Sequence, residues 1–430
     1  MSGNERKPLV PRLRFPEFCD DQSWSFQSLG RLARRSTKKN TDGDITRVLT
    51  NSAEYGVIDQ RDFFDKDIAN QGNLEGYYIV EEGDYVYNPR ISATAPVGPV
   101  SKNRIGLGVM SPLYTVFRFN NTQNDIYAHY FKSTHWHQYM RQASSTGARH
   151  DRMSITNDDF MGLPLPVSKP EEQQKIADCL SSLDDLIAAE TQKLDTLKTH
   201  KKGLQQQLFP REGETVPRLR FPEFRDAGEW KERLFGDLLD DIIDFRGRTP
   251  TKLGMEWGGG NIPALSANNV KNGFIDYNAE CYLASEELHL RWMGDVNLEK
   301  EDIVFTMEAP LGNALLLPDS RKYILSQRVV AFKTKADVLN PFLVQTIWGD
   351  GFQNAIGKLA TGSTAKGINQ KSLRTISIRL PNKNEQRQIA DSLSLLDYLI
   401  TAQAQKIEAL KTHKKGLMQQ LFPVLDEVPA

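Results

Sequence analysis

The sequence predicts a duplicated protein of mixed α/β class, in which two variable domains alternate with two long helices. The nine residues VPRLRFPEF occur at positions 10–18 and again at 216–224, and residues 172–210 match residues 385–423 at 27 of 39 positions. The chain of 430 residues also exceeds the roughly 250 to 300 residues that one hydrophobic core supports. A repeat of this length indicates paired modules, not a solenoid of short units.

The repeats divide the chain into four predicted segments. These are a first domain over residues 1–168, a helix over 169–210, a second domain over 211–382 and a C-terminal helix over 383–424. Hydrophobic content of 39%, charged content of 25% and a mean hydropathy of -0.50 are typical of soluble globular domains. No stretch is apolar enough to span a membrane. Three widely spaced cysteines without a CxxC pair suit a reducing compartment, so we expect a cytoplasmic protein.

Both predicted helices carry the same apolar seam, with steps of four and three residues that are typical of coiled-coil packing. The first seam comprises Ile176, Leu180, Leu183, Ile187, Leu194, Leu197, Leu204 and Leu208. The second comprises Ile389, Leu393, Leu396, Ile400, Ile407, Leu410, Leu417 and Leu421. Polar residues interrupt both seams at equivalent places, Glu190 with Gln403 and Lys201 with Lys414. The alternative is that each helix only covers the core of its own domain.

The two variable blocks share landmarks that indicate one scaffold with diverged loops. Short strand-like segments correspond in three places: 48–59 with 263–276, 81–90 with 298–308, and 111–119 with 326–334. Both blocks then close on small and basic residues, SSTGARHDR at 144–152 and ATGSTAKG at 360–367. Aromatic residues at strand spacing, such as Tyr85, Tyr87, Phe117 and Phe332, are predicted to pack in the cores.

Catalytic motifs are missing from the sequence where a nucleic-acid enzyme would need them. The segment GSTAKG at 362–367 lacks the Lys-Ser/Thr ending of a phosphate-binding loop, and neither Asn-Pro pair continues into the tetrapeptide of adenine methylation. The pair His135 and His137 has no neighbouring cysteine or carboxylate constellation, so we predict no metal site. We therefore predict a chain without catalytic residues.

Tandem variable blocks separated by helices of the pattern EQ-x-x-IA…LD…KKGL-x-QQLFP resemble the specificity subunit of type I restriction-modification systems. The marks that carry this resemblance are the starts of the helices and the LFP that follows each: Leu165, Pro166, Glu172, Gln173, Ile176, Ala177; Leu380, Pro381, Glu385, Gln386, Ile389, Ala390. The similarity extends over nearly the whole chain. It implies that each variable block is a target recognition domain for one half of a bipartite DNA site, and that the helices form an antiparallel coiled coil with pseudo-twofold symmetry.

The same resemblance implies the partners. Double-stranded DNA is the ligand, two modification (methyltransferase) subunits dock on the helices, and restriction subunits with ATP-dependent nuclease activity complete the complex. No cofactor is expected in this chain, because AdoMet, ATP and Mg belong to those partner subunits. The net charge of -1 is compatible with local contacts to DNA, since the partners can neutralise further phosphates.

Candidate DNA-binding residues are those whose side chains read base edges or hold phosphate, at the variable loops of each block. In the first block they are Arg90, Lys102, Ser145, Thr146, Gly147, Arg149, His150 and Arg152. In the second block they are Arg246, Arg248, Thr249, Asn268, Asn269, Lys271, Gln327, Arg328, Thr361, Gly362, Ser363, Thr364 and Lys366. The repeated lysines at 198, 201 and 202 and at 411, 414 and 415 are assigned instead to partner subunits or to contacts between the helices.

Two alternatives remain open at the level of sequence. One is a duplicated coiled-coil scaffold that bridges protein partners without reading DNA. The other is a self-sufficient nucleic-acid enzyme whose motifs are not recognised. Sequence-selective binding by the reconstituted complex separates the first from the specificity subunit, and methyl transfer by the isolated chain would revive the second.

Overall fold

The structure is a computed structural model that describes residues 9–63, 74–144, 151–362 and 365–424. The chain forms two units. The first comprises Met1–Thr191 with Gln405–Ala430, and the second comprises Gln192–Ala404. Both boundaries fall inside a long helix, so each unit contains one variable domain and one half of each helix.

The first domain is built from short strands and short helices, and strands lie in all three segments that the sequence predicts, 48–59, 81–90 and 111–119. Its strands are β1 (Ser25–Ser28), β2 (Ala33–Arg35), β3 (Leu49–Ser52), β4 (Gly56–Asp59), β5 (Tyr78–Val80), β6 (Tyr85–Tyr87), β7 (Val100–Lys102), β8 (Gly108–Met110), β9 (Thr115–Phe119) and β10 (Pro164–Val167). Its helices are α1 (Leu29–Leu32), α2 (Gln60–Phe63), α3 (Asp125–Tyr130), α4 (His137–Ala143) and α5 (Asn157–Met161), and the long α6 (Pro170–Leu208) follows.

The second domain repeats this plan with additional elements. Its strands are β11 (Lys231–Leu234), β12 (Leu239–Ile243), β13 (Ile262–Leu265), β14 (Val270–Lys271), β15 (Phe274–Ile275), β16 (Leu283–Ala284), β17 (Ile303–Thr306), β18 (Ala314–Leu316), β19 (Ile324–Leu325), β20 (Val329–Thr334) and β21 (Ser377–Leu380). Its helices are α7 (Glu286–Met293), α8 (Asn340–Trp348), α9 (Asp350–Leu359) and α10 (Gln370–Arg374), followed by the long α11 (Lys383–Leu421).

A four-stranded antiparallel sheet forms the centre of each domain. The order is β2-β9-β6-β7 in the first and β12-β20-β17-β18 in the second. The registers correspond, since Tyr85 pairs with Phe117 in one sheet and Ile303 pairs with Phe332 in the other. The predicted core aromatics Tyr85, Tyr87, Phe117 and Phe332 are buried in these sheets, as expected. A two-stranded pair, β1-β10 or β11-β21, precedes each long helix.

The halves of the two long helices run antiparallel within each unit. In the first unit Asp184 pairs with Lys414 and Glu190 with Lys406, so residue numbers rise along α6 as they fall along α11. The seams begin in the domain cores: Ile176 and Leu180 are buried in the first domain, and Leu393 is buried in the second. The middle of the first seam is half-buried instead, and in the middle of the second seam Ile407 is buried while its seam neighbours are half-buried. The alternative that the helices cover their own domains therefore holds for their first turns only.

None of the helices in the described parts of the chain is both long and apolar enough to cross a membrane.

Candidate nucleic-acid interface

In the second domain, backbone hydrogen bonds gather three loops at one end of the central sheet. The Met307 N–H donates to the Arg328 carbonyl at 2.8 Å, and the Ile368 N–H donates to the Met307 carbonyl at 3.0 Å. The Ala267 N–H donates to the Gln327 carbonyl at 3.2 Å. We call the surface formed by residues 266–268, 308–309, 327–328, 361–362 and 365–367 the second strand-end surface.

The first domain has an equivalent surface at the end of β6. The Met153 N–H donates to the Pro89 carbonyl at 2.8 Å, and the Ile91 N–H donates to the Asp151 carbonyl at 3.0 Å. An antiparallel bridge joins Arg90 to Arg152 there, as one joins Glu308 to Gly367 in the second domain. We call the surface formed by residues 88–91, 111–113 and 151–153 the first strand-end surface.

Several predicted DNA-binding residues lie on these surfaces with accessible side chains. Arg90, Gln327 and Arg328 are exposed, and Arg152 is half-buried. The exposed candidates also include Asn268, Thr361, Gly362 and Lys366. The Gly362 backbone has φ 106°, and a Cβ atom there would lie 2.2 Å from the Ala365 carbonyl oxygen, so only glycine suits this turn. The structure thus brings the closing segment and the strand-end turns together, so that candidates far apart in the sequence lie on one surface.

Other candidates have roles inside the domains. Lys102 pairs with Asp125 at 2.9 Å, and its ammonium lies 5.9 Å from the Tyr85 ring centroid. Asn269 is buried and braces its own turn, donating to the Ala264 carbonyl at 2.8 Å. These two are therefore the weakest candidates for base contacts, because their polar atoms already have partners.

The segment FRGRTP forms a loop with internal bonds. Arg246 binds Asp244 through both its Nε and its terminal nitrogen, and Gln370 donates to the same carboxylate at 2.7 Å. Arg248 donates to the Trp292 carbonyl and stacks over the Phe245 ring at 4.5 Å. Thr249 accepts from the Lys252 N–H at 3.3 Å, and Lys271 is half-buried in β14. This loop is held in place by its arginines, which leaves fewer of their donors for DNA.

Seven candidates lie outside the described residues. They are Ser145, Thr146, Gly147, Arg149, His150, Ser363 and Thr364. Their assignment to DNA contacts stays a prediction from the sequence.

The repeated VPRLRFPEF segment holds the two helix halves of each unit, a role that sequence reasoning missed. Arg14 donates from Nε and a terminal nitrogen to Glu172 at 2.7 and 2.9 Å, while the Leu13 N–H donates to the Gln420 carbonyl at 3.0 Å. Arg14 therefore binds the start of α6, and Leu13 binds the end of α11. Both charged side chains are nearly inaccessible, at 5% and 0% exposure.

The second copy makes the same contacts with the helices exchanged. Arg220 donates to Glu385 at 2.7 Å twice, and the Leu219 N–H donates to the Gln207 carbonyl at 3.0 Å. Glu385 also accepts from Trp230 Nε1 at 3.2 Å. We call each of these arrangements a helix clip. The sequence contained a signal for this ion pair. The arginine of the VPRLRFPEF segment and the glutamate at the start of each long helix are both repeated, and arginine commonly pairs with a carboxylate through two hydrogen bonds.

A buried polar cluster joins the helices to the domain in the first unit. Lys414, an interruption of the seam, pairs with Asp184, whose carboxylate lies 3.8 Å from His129 Nδ1. His129 Nε2 lies 3.0 Å from Ser181 Oγ. Burial, together with the neighbouring Lys414 and Lys132, lowers the pKa of His129 to about 4. Burial raises the pKa of Asp184, but the hydrogen bond from Lys414 and the charges of Lys132, Lys414 and His129 together outweigh burial and leave that pKa below its usual value.

The second unit has the corresponding cluster with a different domain residue. Lys201 donates to Asp397 at 2.6 Å, and Gln345 donates to the other oxygen of that carboxylate at 2.8 Å. The Lys201 ammonium also lies 4.8 Å from the centroid of the Trp348 ring. Three of the four polar interruptions that the sequence placed in the seams, Glu190, Lys201 and Lys414, thus form ion pairs between the helices.

The LFP sequences that end the helices pack into the domains. Phe422 is buried in the first unit, where its ring lies 5.3 Å from that of Tyr130. Phe209 is the equivalent residue of the second unit, with its ring 5.3 Å from Phe342 and 5.9 Å from Trp230. Each domain therefore contacts the start of one helix and the end of the other, through residues that the repeat duplicates.

The described residues contain no group of three or more His, Cys, Asp or Glu side chains arranged to hold a metal ion.

Comparison with known proteins gives one family and several relatives. The chain matches the family described as "Type I restriction modification DNA specificity domain" twice, over residues 33–199 and 228–412, which together are most of its length. It is 26% identical over 311 residues to the type I restriction enzyme MjaVIII specificity subunit of Methanocaldococcus jannaschii, covering 70% of each chain.

Solved structures share the fold. The S subunit of a type I restriction-modification system from M. genitalium superposes with a TM-score of 0.58 at 13% identity, covering 97% of this chain and all of that one. A chain from a study of complex assembly and conformational transition of the type I R-M system gives a TM-score of 0.55 at 15% identity, covering 93% and 97%. At these identities the likeness concerns the fold alone.

Proposed function

Because the chain belongs to the family of type I restriction modification DNA specificity domains, of which it carries two, we propose that each domain reads one half of a bipartite site in double-stranded DNA. The observation that carries this proposal is the pair of strand-end surfaces. They occupy equivalent places on a duplicated scaffold, yet they present different side chains. Equivalent placement with different chemistry is what reading two different half-sites requires.

We propose that recognition proceeds by contacts of two kinds. Exposed turn residues such as Arg90, Gln327 and Arg328 reach base edges, while the small residues of the closing segments approach the phosphates. Arginine suits the O6 and N7 atoms of guanine, and glutamine suits the N6 and N7 atoms of adenine. In the second domain, Asn269 braces a turn whose Ala267 N–H donates to the Gln327 carbonyl, and this fixed backbone reduces the ordering cost of binding.

The remaining part of the proposal concerns assembly. Two modification subunits dock on the helices and restriction subunits join through them, so this chain contributes selectivity and its partners contribute AdoMet, ATP and Mg chemistry in the cytoplasm. Support comes from the exposed lysines Lys198, Lys202, Lys411 and Lys415, which the repeat duplicates on the helix surfaces. Lys201 and Lys414 are instead used inside the units. A duplicated exposed surface suits one partner bound twice.

Methylation mapping tests this function directly. The chain is produced with its cognate modification subunit in a host without other adenine methylation, and modified positions are read across the genome. We expect a single motif with two short defined halves around a fixed undefined gap. An active modification subunit whose sites do not depend on this chain would contradict the proposal and favour a scaffold without DNA reading.

A further inference from the structure

Glu308 occupies a distinctive position on the second strand-end surface. It follows β17 by two residues and is half-buried. Among the described residues, none forms an ion pair or a side-chain hydrogen bond with its carboxylate. Its backbone neighbours are joined to two other segments of the same surface: the Met307 N–H donates to the Arg328 carbonyl at 2.8 Å, and the Ala309 N–H donates to the Lys366 carbonyl at 3.3 Å.

The backbone around Glu308 is held in an unusual conformation. Ala309 has φ 32° and Arg328 has φ 67°, both in the left-handed region that residues with a Cβ atom rarely adopt. Such residues cluster at functional sites, because the surrounding structure has to hold them there at an energetic cost. Gly367 provides the space beside the carboxylate: a Cβ atom at this position would lie 3.1 Å from Glu308 Cγ. The local structure therefore fixes the backbone of this turn and leaves room for the Glu308 side chain.

The internal repeat shows what this position does in the other domain. Tyr87 pairs with Thr115 and Phe305 pairs with Val330 in corresponding registers, so Arg90 and Glu308 each stand three residues after an equivalent strand residue. The bridges from Arg90 to Arg152 and from Glu308 to Gly367 confirm the correspondence. The same backbone position thus carries a hydrogen-bond donor in one domain and an acceptor in the other. Replacing a donor by an acceptor changes which base is read. In the major groove guanine offers acceptors, whereas its partner cytosine offers a donor.

We propose that Glu308 is a specificity-determining residue of the second domain, whose carboxylate accepts a hydrogen bond from the exocyclic amino group of a base in the major groove. Glutamate and aspartate accept from N4 of cytosine in this way, and N6 of adenine offers the same donor. This inference rests on the proposed function, since it assigns one contact within the second half-site. Sequence reasoning passed over Glu308 because it favoured cations and amides.

The test is a methylation assay on a library in which every position of the second half-site is randomised. The chain with its modification subunit is compared as wild type, Glu308→Gln and Glu308→Ala. We expect discrimination at one position of the second half to fall by about 5- to 100-fold in both variants, with all positions of the first half unchanged. The base pair that loses discrimination identifies cytosine or adenine as the partner.

Glu301→Gln is the matched control, because it makes the same chemical change at the opposite end of β17, where Glu301 is exposed. Discrimination is a ratio between sequences, so it is measurable even when a variant is less active overall. Unchanged discrimination at every position would overturn the inference, and so would a uniform loss of rate or of thermal stability without relaxed selectivity. A wild-type chain that yields no bipartite motif would instead contradict the proposed function.

Discussion

The two polar clusters at the junctions of helices and domains have the same arrangement with different residues. In the first unit a carboxylate, Asp184, lies between Lys414 and His129, and in the second Asp397 lies between Lys201 and Gln345. The lysine and the aspartate belong to the repeated helices, whereas the third residue comes from a variable domain. The helices therefore offer each domain an equivalent carboxylate, and each domain meets it with its own side chain.

This difference shows that the duplicated helices fix where the lysine and the aspartate lie, whereas the residue that each domain contributes can differ. One consequence is electrostatic. His129 can take a proton and Gln345 cannot, so only the first domain contributes a titratable side chain to its cluster. Equivalent architecture therefore does not imply equivalent response to pH.

The largest expected effect comes from breaking the two helix clips and comparing them. Glu172→Ala and Glu385→Ala each leave a buried arginine without its partner, which costs about 3 to 5 kcal/mol of unfolding free energy. We expect the Glu385 variant to lose more, because Trp230 Nε1 loses its acceptor as well. Urea unfolding of both variants measures the difference.

A double variant, Arg14→Met with Glu172→Met, provides the control for the first clip. Replacing both charges by apolar groups removes the unpaired charge, so most of the lost stability should return. Losses below about 1 kcal/mol in both single variants, as for surface pairs, would show that the clips are not buried in solution.

The second-largest expected effect is on the pH dependence of stability, which should differ between the two polar clusters. His129 has a pKa of about 4 when folded against 6.5 in the unfolded chain, so between these values the unfolded state binds more protons. Stability of the first unit is therefore complete above pH 6.5 and falls as the pH falls toward 4, by about 2 kcal/mol between pH 7 and pH 5. The groups around the ring are Ser181, Asp184, Lys414 and Lys132.

His129→Gln makes the first cluster resemble the second and should remove this part of the pH dependence. Calorimetric unfolding of the wild type and the variant at pH 7 and pH 5 checks it, with Gln345→Ala as a control that alters the other cluster without a titratable group. Equal pH dependence in wild type and His129→Gln would show that the ring is protonated without cost.

The sequence alone predicts much of this architecture. The two long helices follow from their seams and flanking prolines, and the central sheets follow from paired strand segments such as 111–119 and 326–334. The association of helix halves with domains could not be predicted. Sequence order suggests that each helix belongs with the domain before it, but the end of α6 packs with the second domain through Leu208 and Phe209. That choice depends on tertiary contacts far apart in the chain.

The candidate site was predicted less completely. Arg90, Gln327 and Arg328 lie on the strand-end surfaces because they follow strand ends, which is visible in the sequence. Lys102 and Asn269 look equally suitable by residue type, yet Asp125 and a backbone carbonyl occupy their donors. Residue type and loop position cannot reveal such partners, and they also give no reason to select an acidic residue such as Glu308.

A smaller effect sharpens the comparison between the two reading surfaces. Arg152→Ala should weaken discrimination in the first half-site, and Lys366→Ala should weaken binding through the second domain, each by about 10-fold or less. Each variant should leave the other half unchanged. Methylation rates on substrates altered in one half at a time provide the readout, and equal loss at both halves would contradict modular recognition.

The central claim is that two equivalent domains each read one half of the site, and a chain with two copies of the first domain tests it most directly. Residues 230–382 are replaced by residues 24–168, which is feasible because the VPRLRFPEF segment before the first junction and the helix after the second junction are both duplicated. The motif methylated with the modification subunit is then mapped. Two identical readers should select a palindrome made from the first half-site and its reverse complement, since a duplex has a dyad. A motif that still contains the original second half would contradict the claim.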